Sequence, residues 1–354
     1  MTNRNISPFT FFERAAAAHR PAHAFQGRTR AEFARWKKTL LPKVLATLGH
    51  QPKKMPPRPQ LLAEWREEGL IKQRWVIDVQ PNLAAIVLVY RPADLPKDER
   101  RPAILCCHGH GLFGKDSVMG IGTNDTRRTD IEEHNYDYGR QMARCGFVTF
   151  ALDWMGFGER DSRNTPSYKN LFGDRDPCNI HFLCATMLGT TVLALNCHDA
   201  SRATDFVCSM PFVDAERLGV MGLSYGGTMT TWMMLTDKRF VAGDIICYAG
   251  PFHEIAYRVY NVCGSQVTPG LFELCDLADL QGLIAPKPLL VEIGVHDGCF
   301  QVDAAYNDHF KGVKRIYKAA GTSDRLELDL FAGPHAWGAN KSLGFFRKHF
   351  GIDP

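Results

Sequence analysis

The sequence predicts an α/β protein. A mainly parallel central sheet is covered by helices on both faces and preceded by an antiparallel strand pair and an N-terminal helical arm. Three observations predict it. Short apolar runs recur, PAILCCHG, GFVTFALDW, RLGVMGLS, AGDIICYAG, PLLVEIGVHD and RLELDLFAG, each followed by a turn and then a helical stretch. That alternation is the product of strand–helix–strand units, which place their strands parallel. The runs show no polar alternation, as expected of strands buried on both faces. A chain of 354 residues can also carry one large domain with insertions.

The elements follow in order. Residues 1–60 read as a helical arm and spacer. Within it, residues 29–50 space Phe33, Trp36, Leu40, Val44 and Leu48 as one helical face, and Pro42 is expected to end one helix and begin another. The proline-rich QPKKMPPRP then acts as a spacer. Residues 61–354 form the main domain. Its first strands, IKQRWVIDV and LAAIVLVY, are split by QPNL and read as an antiparallel pair. Insertions are expected near 160–182 and 251–285, after strand ends, where lids and pocket walls are commonly built. Reactive groups belong at the carboxyl ends of the strands.

Composition excludes several classes of function. With 42 Lys+Arg against 38 Asp+Glu the formal charge is only +4, and no block of like charge offers a footing for nucleic acid or an acidic membrane. No apolar run approaches the ~20 residues of a membrane helix. The start, MTNRNISPFTFFERAAAAHRPAHAF, has no continuous apolar core behind a basic end, so a cytoplasmic location is expected. Eleven cysteines lie scattered with no CxxC pair, against both a disulfide framework and a zinc ribbon. The cluster CCHGH invites a metal, but a strand would send Cys106 and Cys107 to opposite faces. No metal or other cofactor is expected.

The chemistry centres on RLGVMGLSYGGTMTTWMM. Glycines at Gly222, Gly226 and Gly227 allow a sharp strand-to-helix corner that presents Ser224, a nucleophile elbow. The pentapeptide alone is weak, since chance produces it in roughly a tenth of chains this long. Partners strengthen it. A serine hydroxyl needs a base, and the base needs a group that holds its tautomer. Asp297 falls just past PLLVEIG, and His335 just past RLELDLF. The order Ser224, Asp297, His335 is the order this architecture uses. Asp276 and Asp279, in the helical CDLADLQGL, read as solvent-facing or capping residues instead. For the oxyanion, the backbone N–H of Tyr225 is one expected donor and that of His110, in the HGHG loop, the other.

Together HGHG, DWMGFGERD, GLSYGG, GVHDG and AGPHAWG resemble the α/β-hydrolase superfamily, and within it the dienelactone hydrolase-like and acetyl xylan esterase-like hydrolases. The resemblance spans roughly residues 65–354. It implies an α/β-hydrolase fold, with Ser224, Asp297 and His335 as nucleophile, acid and base. Dienelactone hydrolases proper carry a cysteine where Ser224 stands, and many deacetylating relatives carry glutamine where Tyr225 stands, so acetyl-xylan specificity does not follow. Arg160, Tyr257, Tyr260 and Phe272 are the candidate pocket residues, with a salt bridge to Glu159 or Asp161 the plainer role for Arg160. The expected activity is hydrolysis of a carboxylic ester of a small molecule through an acyl-enzyme. A prolyl-oligopeptidase-like serine peptidase, a carbon–carbon bond hydrolase and a non-catalytic binding protein on the same fold are the alternatives. Homo-oligomers are compatible with the sequence, which does not specify them.

Overall fold

The apolar runs form one nine-stranded sheet in a computed structural model that describes residues 4–164 and 176–352. The strands are β1 (Gln60–Glu67), β2 (Leu70–Gln80), β3 (Leu83–Pro92), β4 (Arg101–Cys107), β5 (Val148–Leu152), β6 (Val213–Leu223), β7 (Phe240–Ile246), β8 (Leu289–Gly294) and β9 (Leu326–Phe331). They lie in the order β1-β2-β3-β5-β4-β6-β7-β8-β9. Pairing is antiparallel from β1 through β3 to β5, and parallel from β5 across to β9. The expected antiparallel pair is therefore a meander of three. Strand β1 escaped the sequence reading because QLLAEWRE is an edge strand, exposed everywhere except at a half-buried Trp65, and carries no burial alternation.

Both faces of the parallel part are covered. Cys106 packs with Met221 and Ile246 on one face, whereas Cys107 packs with Val220 and Trp232 on the other. Adjacent strand residues alternate in this way by geometry alone. Among the described residues, no helix is long and apolar enough to cross a membrane.

The arm contains α1 (Pro8–Ala18) and α2 (Arg30–Ala46). Thr29 starts α2 with a reciprocal cap: its hydroxyl accepts from Glu32 N while the Glu32 carboxylate accepts from Thr29 N. Pro42 does not divide the helix as expected. A proline in the interior of a helix costs roughly 3 kcal/mol. Leu40 and Val44, on either side of it, are fully buried, and each such burial returns about 1.5–3 kcal/mol. The continuous helix keeps both against the domain. The arm is also stitched to the 251–285 insertion, with Ala22 N donating to Glu273 O (2.9 Å), His23 N to Leu274 O (2.9 Å) and Phe25 N to Asp279 Oδ1 (2.9 Å).

Candidate active site

Strand β6 ends beside β7, and there Ser224 N donates to Ile246 O at 2.9 Å. The helix Tyr225–Thr236 begins at the next residue. The turn is so abrupt that Ser224 adopts φ 61°, ψ −117°, a conformation L-residues avoid at a cost of about 1–3 kcal/mol. The neighbouring glycines show why. A side chain at Gly226 would collide with the carbonyl oxygen of Cys107, and a Cβ at Gly222 would stand 2.5 Å from Gly226 O. Close passage of the helix start over β4 and β6 thus requires both.

The acid and the imidazole arrive from the next strands along. Strands β8 and β9 are parallel neighbours, paired from Leu289↔Leu326 to Gly294↔Phe331. Beyond them the chain stays paired, with Val295 N on Phe331 O (3.0 Å) and His296 N on Gly333 O (3.0 Å). This brings His335 Nδ1 to 2.8 Å from Asp297 Oδ2. The other carboxylate oxygen accepts from Cys299 N (2.7 Å) and Phe300 N (3.0 Å), so the carboxylate cannot rotate freely. The Asp297 side chain is 2% exposed, and the Phe300 ring lies nearly parallel to the imidazole at 5.8 Å. A carboxylate facing Nδ1 keeps the proton there and leaves Nε2 as an acceptor. Cys247, the residue after β7, places its sulfur within 4.8 Å of the facing atoms of Asp297 and His335. Burial pushes its thiol well above the usual range, so it stays protonated and donates to Ala336 O at 3.5 Å.

On the opposite flank the loop after β4 lies against the elbow. A Cβ at Gly109 would stand 2.9 Å from Leu223 O and 3.4 Å from Ser224 Cβ, so the absence of one lets the loop approach the serine. Gly109 N is engaged by Tyr136 Oη at 2.6 Å, and His110 follows it. His108 anchors the loop below. Its Nδ1 donates to Gly109 O (2.7 Å) and its Nε2 accepts from Trp154 N (3.0 Å), a neutral tautomer that matches the fall of its pKa to about 4 through burial. Tyr225 has a fully buried side chain whose hydroxyl accepts from Asn196 Nδ2 at 2.9 Å, so only its backbone can face a substrate.

Beneath that loop lies a charged hub that sequence reading missed. Lys115, with no exposed surface, donates to Asp153 Oδ2 (2.9 Å), Glu159 Oε2 (2.5 Å) and Asp116 Oδ1 (3.1 Å). Asp153 also accepts from Lys115 N and Glu159 N, which ties the segment after β4 to the end of β5. The placement of Asp153 at the end of GFVTFALDW was the available signal; nothing local marks Lys115.

The pocket candidates go elsewhere. Arg160 bonds Asp199 Oδ2 (2.7 Å) and Asp153 O (3.0 Å), both inside the fold, and neither of the expected acids is its partner. Glu159 is taken by Arg74 and Lys115, and Asp161 by Arg163. Tyr257 and Phe272 meet as a tilted ring pair at 6.0 Å and help line a cavity of about 400 Å³ shared with Phe11, Phe12 and His19 of the arm. Its walls include none of Ser224, Asp297 and His335. Tyr260 is exposed and stacks on Phe9 at 4.9 Å. These aromatics face the arm because α1 covers the insertion that bears them. The remainder of the 160–182 insertion, residues 165–175, lies outside the described residues.

Asp276 and Asp279 are capping residues but not solvent-facing ones. Asp276 accepts from Leu277 N (2.7 Å) and Phe252 N (2.7 Å), and Asp279 from Phe25 N (2.9 Å) and Asp276 N (3.2 Å). Asp279 is 6% exposed, and burial pushes its carboxyl up to about 6. The arm covers this helix start, a contact no local pattern records.

A helical elbow at the carboxyl edge of a largely parallel sheet, with an aspartate–histidine pair on the strand ends beyond it, defines an α/β-hydrolase. The chain belongs to the Abhydrolase family, whose model matches residues 2–332. It is similar to the "Putative hydrolase YtaP" of Bacillus subtilis, 23% identical over 298 residues that cover 81% of this chain and 90% of that one. Among solved structures it is similar to a putative acetyl xylan esterase from Bacteroides fragilis (TM-score 0.73, 19% identity, 93% of this chain and 83% of the other). A glucuronoyl esterase from Solibacter usitatus gives a TM-score of 0.65 at 16% identity, covering 95% and 99%. At these identities the two structures speak for the fold.

Proposed function

We propose that the protein is a serine hydrolase that cleaves a carboxylic ester of a small molecule through an acyl-enzyme, with Ser224 as nucleophile, His335 as base and Asp297 as the group that orients it. The observation that carries this reading is the 2.8 Å contact of Asp297 with His335 Nδ1, on the strand ends beyond a strained Ser224. In the first step Ser224 Oγ attacks the ester carbonyl carbon while His335 Nε2 takes the hydroxyl proton. The developing oxyanion is met by the backbone N–H groups of Tyr225 and His110. The imidazolium then protonates the departing alcohol, leaving the acyl group on Ser224. Water, deprotonated by the same Nε2, releases the acid and restores the serine.

An acetyl xylan esterase and a glucuronoyl esterase among the structural relatives make acetylated and uronoyl sugars the first substrates to try beside simple p-nitrophenyl esters. All eleven cysteines are free, which supports a reducing, cytoplasmic location. A fluorophosphonate probe is expected to label the wild type and not Ser224→Ala. Equal labelling of both would remove Ser224 from the mechanism. A panel of p-nitrophenyl esters beside aminoacyl amides separates the esterase from the peptidase reading: turnover of the amides alone would favour the peptidase.

A further inference from the structure

Beside the ester site three chain segments bring together a donor set that no sequence spacing announces. His110 comes from the loop after β4, Cys178 from the first turn of the helix Pro177–Met187, and Cys263 from the segment ahead of a short helical turn, Gly264–Gln266. Their ligand atoms, one imidazole nitrogen and two sulfurs, all lie within 4.8 Å of one another. His110 Nε2 stands 3.5 Å from Cys178 Sγ.

We propose that His110, Cys178 and Cys263 form a binding site for a thiophilic divalent cation of the zinc type, separate from the Ser224–His335–Asp297 constellation. The geometry fits. A tetrahedral ion with Zn–S of about 2.3 Å and Zn–N of about 2.0 Å sets its nitrogen and sulfur ligands about 3.5 Å apart and its two sulfurs about 3.8 Å apart. The separation of His110 from Cys178 is already 3.5 Å, and the two separations that involve Cys263 need closures of at most about an ångström from the 4.8 Å bound. Sulfur and imidazole donors select zinc over magnesium or calcium, which prefer oxygen. The segments are also held in register without the ion. Gly264 N donates to Asn179 Oδ1 at 2.9 Å, which clasps the residue after Cys263 to the residue after Cys178.

A second observation points to the same place. Ser265 lies beside the Cys178 thiol. Its hydroxyl is fully buried, and apart from the Cys178 sulfur it has no nitrogen or oxygen partner among the described residues. Sulfur is a weak hydrogen-bond partner for a buried hydroxyl, and a water completing the coordination of an ion is a stronger one. Binding releases the protons of thiols that are not already ionised, so affinity rises with pH. The ion would join the loop that carries the His110 N–H to the two insertions, and so stiffen one wall of the ester site.

The test uses the full-length protein, reduced and stripped of metal, with Zn²⁺ and Co²⁺ as probes. One ion per chain is expected, with Co²⁺ giving the absorption of a tetrahedral site and a thiolate charge-transfer band. Cys178→Ser with Cys263→Ser should weaken Zn²⁺ binding at least roughly 100-fold. Replacing the exposed Cys145 and Cys184 should leave it unchanged. Should the double variant fail to fold, the rate of Cys263 alkylation in the wild type gives the answer, since Zn²⁺ should slow it at least roughly tenfold while Cys145 keeps its rate. Absence of the charge-transfer band, equal affinity in the double variant, or a Cys178–Cys263 disulfide in air with no ion bound after reduction would each overturn the proposal.

Discussion

Buried carboxylates flank Ser224 on both sides, and the two sides neutralise them differently. Toward β4 and β5, Lys115 stands among Asp153, Glu159 and Asp116. Burial opposes the charge of Lys115, but the three acids outweigh it and raise its pKa. Toward β7 and β8, Asp244 and Glu292 face each other in the sheet with no cation in contact among the described residues. Glu292 accepts from Ser342 Oγ (2.7 Å) and Gly338 N (2.9 Å), and Asp244, fully buried, lies against Glu292 and Ser342. Two carboxylates so placed cannot both stay ionised, so one holds a proton that the pair shares. Burial pushes Glu292 up to about 7 and Asp244 well above its ordinary range. A buried charge has to be met by an opposite charge or removed by protonation, and this sheet uses one solution on each flank.

The signs of the pH dependence are therefore opposite. Glu159 is opposed by burial but lowered overall by Arg74 and Lys115, so its stabilisation is present above its usual 4.5 and lost as pH falls through the depressed value. Glu292 is raised, so the stability of its protonated form is complete below 4.5 and lost as pH rises through about 7.

The largest expected effect breaks the cationic flank. Lys115→Met strips the three acids of their shared cation, leaving buried Asp153 unpaired while Glu159 keeps Arg74 and Asp116 keeps Arg127, and should lower stability by about 3–5 kcal/mol in urea unfolding. A loss below about 1 kcal/mol would mean that water, not the lysine, neutralises them. Next comes the pair at the edge of the other flank. Asp297→Asn keeps the shape but can favour the wrong histidine tautomer, and kcat on a responsive ester should fall at least roughly 10²-fold with the unfolding midpoint little changed. An unaltered kcat would reassign the orienting acid.

Asp244→Asn sharpens the contrast directly. It replaces the shared proton with a permanent donor, so at about pH 8 the variant should exceed the parent by ~1 kcal/mol, and the gain should vanish near about pH 5. A gain that ignores pH would show that the pair does not share a proton. The smallest effects belong to the carboxylates under the arm. Asp276→Asn and Asp279→Asn retain an acceptor oxygen and should keep kcat within about tenfold of the parent, at a stability cost of ~1 kcal/mol. Collapse of the rate in either would connect the arm to the chemistry.

By itself the sequence determined the parallel strands and the positions of Ser224, Asp297 and His335, because these are local facts. An apolar run without polar alternation marks a strand buried on both faces, and the residue just past such a run stands at the sheet's carboxyl edge whatever else the chain does. Only the tertiary structure decided what depends on segments distant in the chain. Strand β1 had no pattern because its edge faces solvent, and Pro42 stayed inside α2 because Leu40 and Val44 are buried against the domain. The aromatics of the 251–285 insertion turned to α1, a contact between chain segments some 250 residues apart, as in Phe25 N with Asp279. Lys115 met Asp153, and His110 met Cys178, only when the loops after β4 and β5 folded over one another. Periodicity and capping act over a few residues, whereas the pairing of charges and the gathering of sulfur and nitrogen act through space, which a linear pattern does not encode.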